Sequence, residues 1–196
     1  MPTGYFHLAA LVSGAYLLGS ILPAELLARR RLGKRVGEVN SRENPGAAGS
    51  WRLMGPLAGV AVALFDIAKG ALPVLLALRL GVSTPWLVLL AAAPVIGHNW
   101  PLFYRFQGGR GLATGVGALL CLAPLPFVIA LALGIPFAFY FRWTPALGVV
   151  GFPLGVVLIL CTKGTDPHLL GPVLAVIAVV LSRQIPWLLH RGRQET

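Results

Sequence analysis

The chain has 196 residues, 57% of them hydrophobic and 11% charged, with a mean hydropathy of +0.79, a balance that excludes an ordinary soluble domain and points to an integral membrane protein. Sixteen Lys and Arg against six acidic residues give a formal charge of +10, which suits anionic headgroups or anionic substrates. No basic run is long enough, or interleaved with aromatics, to support nucleic-acid binding.

The first apolar run covers about residues 6–28. It has no basic segment ahead of it and no Ala-x-Ala site close behind, so it reads as a first span and not as a cleaved signal peptide. The loop that follows contains NSRENPGAAGSWRLMG, residues 40–55. Asn44-Pro45-Gly46 is turn chemistry, and Ala47, Ala48, Gly49 and Ser50 are small enough to let a ligand approach the backbone, with Arg52 close behind. Such a loop either lines a site or is a solvated connection.

A second span covers about 55–80 and carries Asp66 and Lys69 three residues apart on one helical face, as a functional site or as a structural ion pair. The third, about 84–102, ends in VIGHNWPLFYRF. There His98 reads as a general base or anion donor, or as an interfacial polar anchor beside Trp100 and Tyr104.

Residues 105–115, RFQGGRGLATG, interrupt the apolar pattern with three glycines around Arg110. Gly108, Gly109 and Gly111 leave backbone amides uncovered, Arg110 offers a planar fork to a phosphate, and a helix starting near Leu112 would aim its positive end at the same place. The same residues also fit a tight turn whose arginine anchors at lipid headgroups.

Four more spans complete the chain, at about 112–122, 127–141, 146–161 and 169–189, with Pro124 and Pro126 separating the first two into distinct helices. Seven spans in one membrane domain over residues 1–196 are expected. Cys121 and Cys161 both lie in apolar runs and carry no metal or disulfide signal. Arg29, Arg30, Arg31, Lys34, Arg35, Arg42, Arg52, Arg105, Arg110, Arg142, Arg183, Arg191 and Arg193 then fall on one side of the membrane, against Arg79 and Lys163 on the other. Positive residues stay inside, which puts the N-terminus outside and the C-terminus in the cytoplasm. The first loop, the glycine loop and the C-terminal segment consequently share the cytoplasmic face.

A Walker loop, a Gly-x-Ser-x-Gly elbow and a metal-ligand cluster are all missing from the sequence. In order and spacing, AYLLGSILPAELLARR, NPGAAGSWR, LFDIAKGALPV and IGHNWPLFYRFQGGRGLATGVG resemble the bacterial membrane glycerol-3-phosphate acyltransferases that use acyl phosphate, the PlsY family. The resemblance implies a seven-span, all-α protein of the cytoplasmic membrane that acylates the sn-1 hydroxyl of glycerol-3-phosphate to lysophosphatidic acid, without metal, nucleotide or other cofactor. Its partners would be the phosphorylated acceptor, the acyl phosphate donor and membrane lipids.

Carried over by position, Asn44, Gly46 and Arg52 fall on the family's first motif, and His98, Gly108, Gly109, Arg110, Gly111 and Thr114 on its glycine-rich motif. Arg52, His98 and Arg110 are the residues the resemblance points to for catalysis. Arg42 and Glu43 stand in the family's Gly-Ser-Gly segment, with Ser41 one position too early, and Arg110 replaces a lysine. Leu181 and Gln184 occupy the places of a C-terminal His and Asn; Glu195 corresponds to a downstream Glu, and His190 could stand in for the histidine only through a different geometry. Anion-binding groups thus survive better than hydroxyl and imidazole groups. A second reading follows, in which the chain takes another acceptor or binds an anionic lipid or phosphorylated metabolite without turnover.

Overall fold

Proline and glycine set the breaks between the apolar runs. The computed structural model describes residues 4–40, 43–140 and 147–192. Its first run is not the single helix expected over 6–28: α1 (Tyr5–Gly19) ends before α2 (Pro23–Leu32) begins. Pro23 has no backbone N–H and holds Leu22 extended, at φ −108° and ψ 98°, so the helical ladder cannot pass through. At this break the Ile21 carbonyl accepts a hydrogen bond from the Lys69 ammonium at 2.8 Å.

The stretch expected to be a loop instead contains two short helices, α3 (Val36–Val39) and α4 (Ala47–Met54). Alanine, leucine and methionine favour the helix in α4, and Gly55 at φ 91° followed by Pro56 ends it. The chain continues into α5 (Pro56–Leu80) and α6 (Thr84–Asn99), which agree with the second and third runs. After a short 3-10 turn at Leu102–Tyr104 come α7 (Leu112–Leu122) and α8 (Pro124–Tyr140), two helices separated at Pro124 as the sequence predicts. A π-helical turn, Leu147–Gly151, leads to α9 (Phe152–Lys163), and α10 (Pro167–Gly192) is the last element.

Among the described residues, four segments are long and apolar enough to cross a membrane: Tyr5–Leu32, Pro56–Leu80, Thr84–Tyr104 and Pro167–Ile185. Leu112–Leu122, Pro124–Ala138 and Gly148–Lys163 are shorter apolar helices. Leu57, Leu64, Leu72, Leu133 and Leu174 face outward, as lipid-facing side chains would.

The core is assembled from one helix after another: Val74 of α5, Leu90 of α6, Leu119 of α7, Phe127 of α8, Phe152 of α9 and Val176 of α10 are all buried in one cluster. Phe127 and Phe152 meet edge to face with centroids 6.3 Å apart. Between α5 and α7 the two backbones come together at a pair of glycines. A Cβ at Gly70 would run into the Thr114 carbonyl, and one at Gly117 into the Ile67 carbonyl. Where lipid competes with every apolar side chain, this kind of backbone approach is what holds helices together. It also fixes the start of α7, and the glycine loop ahead of it, against α5.

Candidate substrate site at the glycine loop

The loop from α6 to α7 turns tightly. Arg105 and Phe106, neither of them glycine, adopt the left-handed region at φ 53° and 59°, at a cost of about 1–2 kcal/mol each. The Phe106 N–H donates to the Pro101 carbonyl and the Gln107 N–H to the Tyr104 carbonyl, both at 3.0 Å, which closes the turn. The Gly109 N–H then donates to the His98 carbonyl at 3.0 Å, so that amide is engaged inside the loop and does not join an open set of donors.

All three glycines here are sterically required, Gly108 because a Cβ would run into the His98 carbonyl. A Cβ on Gly109 would strike Nε2 of His98, and one on Gly111, at φ 68°, would come 2.6 Å from Oδ1 of Asn99. Gly109→Ala is expected to destabilise the fold by the roughly 1–3 kcal/mol typical of overpacking, read as a lower melting temperature in detergent. Gly111 is the N-cap of α7, so the positive end of that helix opens at the loop.

Two arginines reach consecutive residues of the first loop. Arg110 donates from Nη2 to Oδ1 of Asn44 at 3.2 Å, joining segments 66 residues apart. Arg52, on α4, donates from Nε and Nη2 to the two carboxylate oxygens of Glu43 at 2.6 and 2.5 Å. The hydrogen bond from Glu43 raises the Arg52 pKa above its ordinary value, against a smaller effect of burial. Gly46 is the N-cap of α4, and its amide donates to the Asn44 carbonyl at 2.8 Å. Ser41 lies outside the described residues.

Beneath the loop sits a buried cluster that is only partly visible in the sequence. The Lys69 ammonium lies 2.8 Å from Oδ1 of Asp66 and 2.9 Å from Nδ1 of His98, with the three residues 1%, 1% and 3% exposed. Asp66 Oδ1 is also 3.4 Å from His98 Nδ1, a longer contact than the one from Lys69. His98 Nδ1 thus faces both Lys69 and Asp66 inside the bundle, and Nε2 of the same ring lies under Gly109. Ionised groups in apolar surroundings survive only when paired, and here the Lys69 ammonium is shared among Asp66, His98 and the Ile21 carbonyl. Sequence reasoning found Asp66 and Lys69 by their spacing but had no signal for their meeting with His98.

Asn99 is a second junction. Its Nδ2 donates to the Val179 carbonyl of α10 at 3.0 Å, and its own carbonyl accepts from Arg183 at 3.3 Å. The Arg183 guanidinium also lies over the Trp100 ring, 5.6 Å from its centroid. Thr114, in the first turn of α7, is fully buried, and its Oγ1 has no hydrogen-bond partner among the described residues. Gln184 is buried on α10, whereas Glu195 and the side chain of His190 lie outside what the structure describes. No group of three His, Cys, Asp or Glu among the described residues is arranged to hold a metal ion.

The structure thus brings Asn44 of the first loop to Arg110, with Gly46 two residues on at the start of α4, Arg52 on α4 held by Glu43, His98 beneath Gly109 and Thr114 just inside α7. The family model for glycerol-3-phosphate acyltransferase matches residues 9–193. Glycerol-3-phosphate acyltransferase 4 of Dehalococcoides mccartyi (strain CBDB1) is 39% identical over 146 residues, covering 74% of this chain and 62% of that protein. Glycerol-3-phosphate acyltransferase of Enterobacter sp. (strain 638) is 48% identical over 105 residues, covering 54% of this chain and 51% of that one. In both comparisons the chain spans less than two thirds of the relative's length. The crystal structure of PlsY, an integral membrane glycerol 3-phosphate acyltransferase, in its glycerol 3-phosphate form superimposes with a TM-score of 0.80 at 28% identity, covering 95% of this chain and 94% of that one. Its lysophosphatidic acid form gives a TM-score of 0.75. With the match running through nearly all of the sequence and through the fold, the chain belongs to the PlsY family of glycerol-3-phosphate acyltransferases.

Proposed function

We propose that the protein is an acyltransferase of a bacterial cytoplasmic membrane, moving an acyl group from acyl phosphate to the sn-1 hydroxyl of glycerol-3-phosphate to give lysophosphatidic acid for phospholipid synthesis. The names of its relatives and of the matching PlsY crystal forms support acyl transfer to glycerol-3-phosphate. Within this chain, the carrying observation is the Arg110 to Asn44 hydrogen bond, which joins the glycine loop, at the positive end of α7, to the arginine-bearing first loop. In this reading the four long and three shorter apolar segments all cross the membrane. The N-terminus is outside, and the positive loops are cytoplasmic.

The acceptor hydroxyl oxygen attacks the acyl carbon, the bond from that carbon to the phosphate oxygen breaks, and phosphate departs with the electron pair. Phosphate leaves readily, so positioning and charge stabilisation can carry the step without a covalent enzyme intermediate. Arg110 and Arg52 hold the two phosphate groups, and the glycine loop with the end of α7 favours negative charge. Asn44 orients Arg110, Gly46 opens α4, and Gly108, Gly109 and Gly111 let the loop pack tightly onto His98 and Asn99, which fixes where Arg110 stands. The Thr114 hydroxyl, buried in the first turn of α7, serves as a further donor to phosphate, as does Ser41 on the strength of its sequence position alone. His98 acts as a positioning residue: its Nδ1 is turned inward against Lys69 and Asp66 and its ring supports Gly109, and the hydroxyl proton passes to a phosphate oxygen of the substrate. The reaction calls on no metal or cofactor.

The test is purified protein in detergent with a long-chain acyl phosphate and glycerol-3-phosphate, with lysophosphatidic acid measured by mass spectrometry. Formation of that product is expected. No product from glycerol-3-phosphate, with another phosphorylated acceptor consumed, would overturn the acceptor and keep the reaction class. No turnover with any acceptor, while phosphate still binds, would favour a non-catalytic binder of an anionic lipid or phosphorylated metabolite. The engagement of Arg52 by Glu43 and the apolar Leu181 are the observations on that side.

A further inference from the structure

Glu43 is unusual among the acidic residues near the site because both of its oxygens meet one guanidinium. Arg52 presents Nε and Nη2 to them at 2.6 and 2.5 Å, the fork-to-fork arrangement by which arginine also grips two phosphate oxygens. The Glu43 side chain is 10% exposed and that of Arg52 52% exposed, so the carboxylate is tucked in while the arginine keeps a face toward solvent. The α4 turn leaves room for this pose. A Cβ on Gly49 would lie 3.3 Å from Oε2 of Glu43 and 2.5 Å from the Asn44 carbonyl. The next residue, Asn44, receives Arg110.

From this geometry we infer that Glu43 is a built-in competitor for substrate phosphate, seated in the Arg52 fork, which the phosphate must displace and which thereby selects dianionic over monoanionic ligands. The inference rests on the reading that Arg52 binds phosphate. A free monoanion carries no more charge than Glu43, and it competes against a tethered group whose effective concentration is on the order of millimolar or above. It therefore gains little. A phosphate monoester carries nearly two charges and a third oxygen that can reach toward Arg110. Displaced from Arg52, the Glu43 carboxylate is free to face solvent, and the two arginines are left to the ligand. Glu43 in this view is a specificity-determining residue that need not touch the reacting atoms.

The experiment measures binding of inorganic phosphate and of acetate to the full-length protein in detergent, at about pH 8 where phosphate is the dianion, and at matched ionic strength. Glu43→Gln is expected to tighten phosphate about tenfold, as removal of a charge-assisted competitor should, and to make acetate binding measurable. Glu43→Asp, which keeps the charge but withdraws the seat by one methylene, is expected to fall between Glu43→Gln and the parent. In an Arg52→Ala background, Glu43→Gln should change nothing. Weaker or unchanged phosphate binding in Glu43→Gln, with Arg52→Ala still destroying it, would overturn the inference and leave the phosphate role of Arg52 intact. Unaltered phosphate binding in Arg52→Ala would overturn both. In kinetic assays the same Glu43→Gln change should appear in KM for glycerol-3-phosphate far more than in kcat. Melting temperatures of all variants identify any that fail to fold, and for those Glu43→Asp supplies the reading.

Discussion

Arg110→Ala is expected to lower kcat/KM for glycerol-3-phosphate by roughly 100- to 1,000-fold, the loss seen when a preorganised donor to developing charge is removed. Arg110 brings a fixed positive charge and a planar fork to the loop, and alanine offers neither. Arg110→Lys should recover part of the loss, because it restores the charge but not the bidentate geometry. The link to Asn44 would go as well, and a charge-assisted hydrogen bond contributes about 1.5–3 kcal/mol at most. The melting temperature should therefore fall only modestly while activity collapses. A variant that keeps normal kinetics would show that the glycine loop does not hold the substrate phosphate.

The second large effect belongs to stability. Lys69→Met leaves the Asp66 carboxylate buried without its ion partner and the Ile21 carbonyl without its donor, and breaking a buried pair on one side costs about 3–5 kcal/mol. Unfolding in detergent should shift accordingly. Asp66→Asn with Lys69→Met should lose less than Lys69→Met alone, since apolar or neutral replacement of both partners is often tolerated. If the double variant instead shows the sum of the two single losses, the pair is not an energetic unit.

What the sequence discloses here is mostly local. The apolar runs and Pro124 give the separation of α7 from α8, and the three-residue spacing of Asp66 and Lys69 gives their shared face, because each depends on chemistry within a turn or two. The break before Pro23 was also written locally, but the apolar run on both sides concealed it. α4 was hidden for the opposite reason: its small residues read as loop, while its helicity draws on packing against α5. The pairings that build the site were not legible at all. Asn44 meets Arg110, and Lys69 meets His98, only because α5, α6 and α7 dock closely enough to bring distant segments together. Nothing in the spacing of Glu43 and Arg52 announces a two-point ion pair across the entrance to α4.

The buried cluster also bears on how the chain enters a bilayer during synthesis. A lone Lys or Asp at the centre of an inserting helix costs about 2.5–3.5 kcal/mol on translocation scales. In α5 the opposite charges sit one turn apart, so the helix brings its own counter-charge at mid-span. The Ile21 carbonyl that takes up Lys69 has already emerged, forty-eight residues earlier in the chain. His98 arrives afterwards, with α6, and joins a site already in electrical balance. Asp66 and Lys69 therefore need not wait in lipid for a later helix.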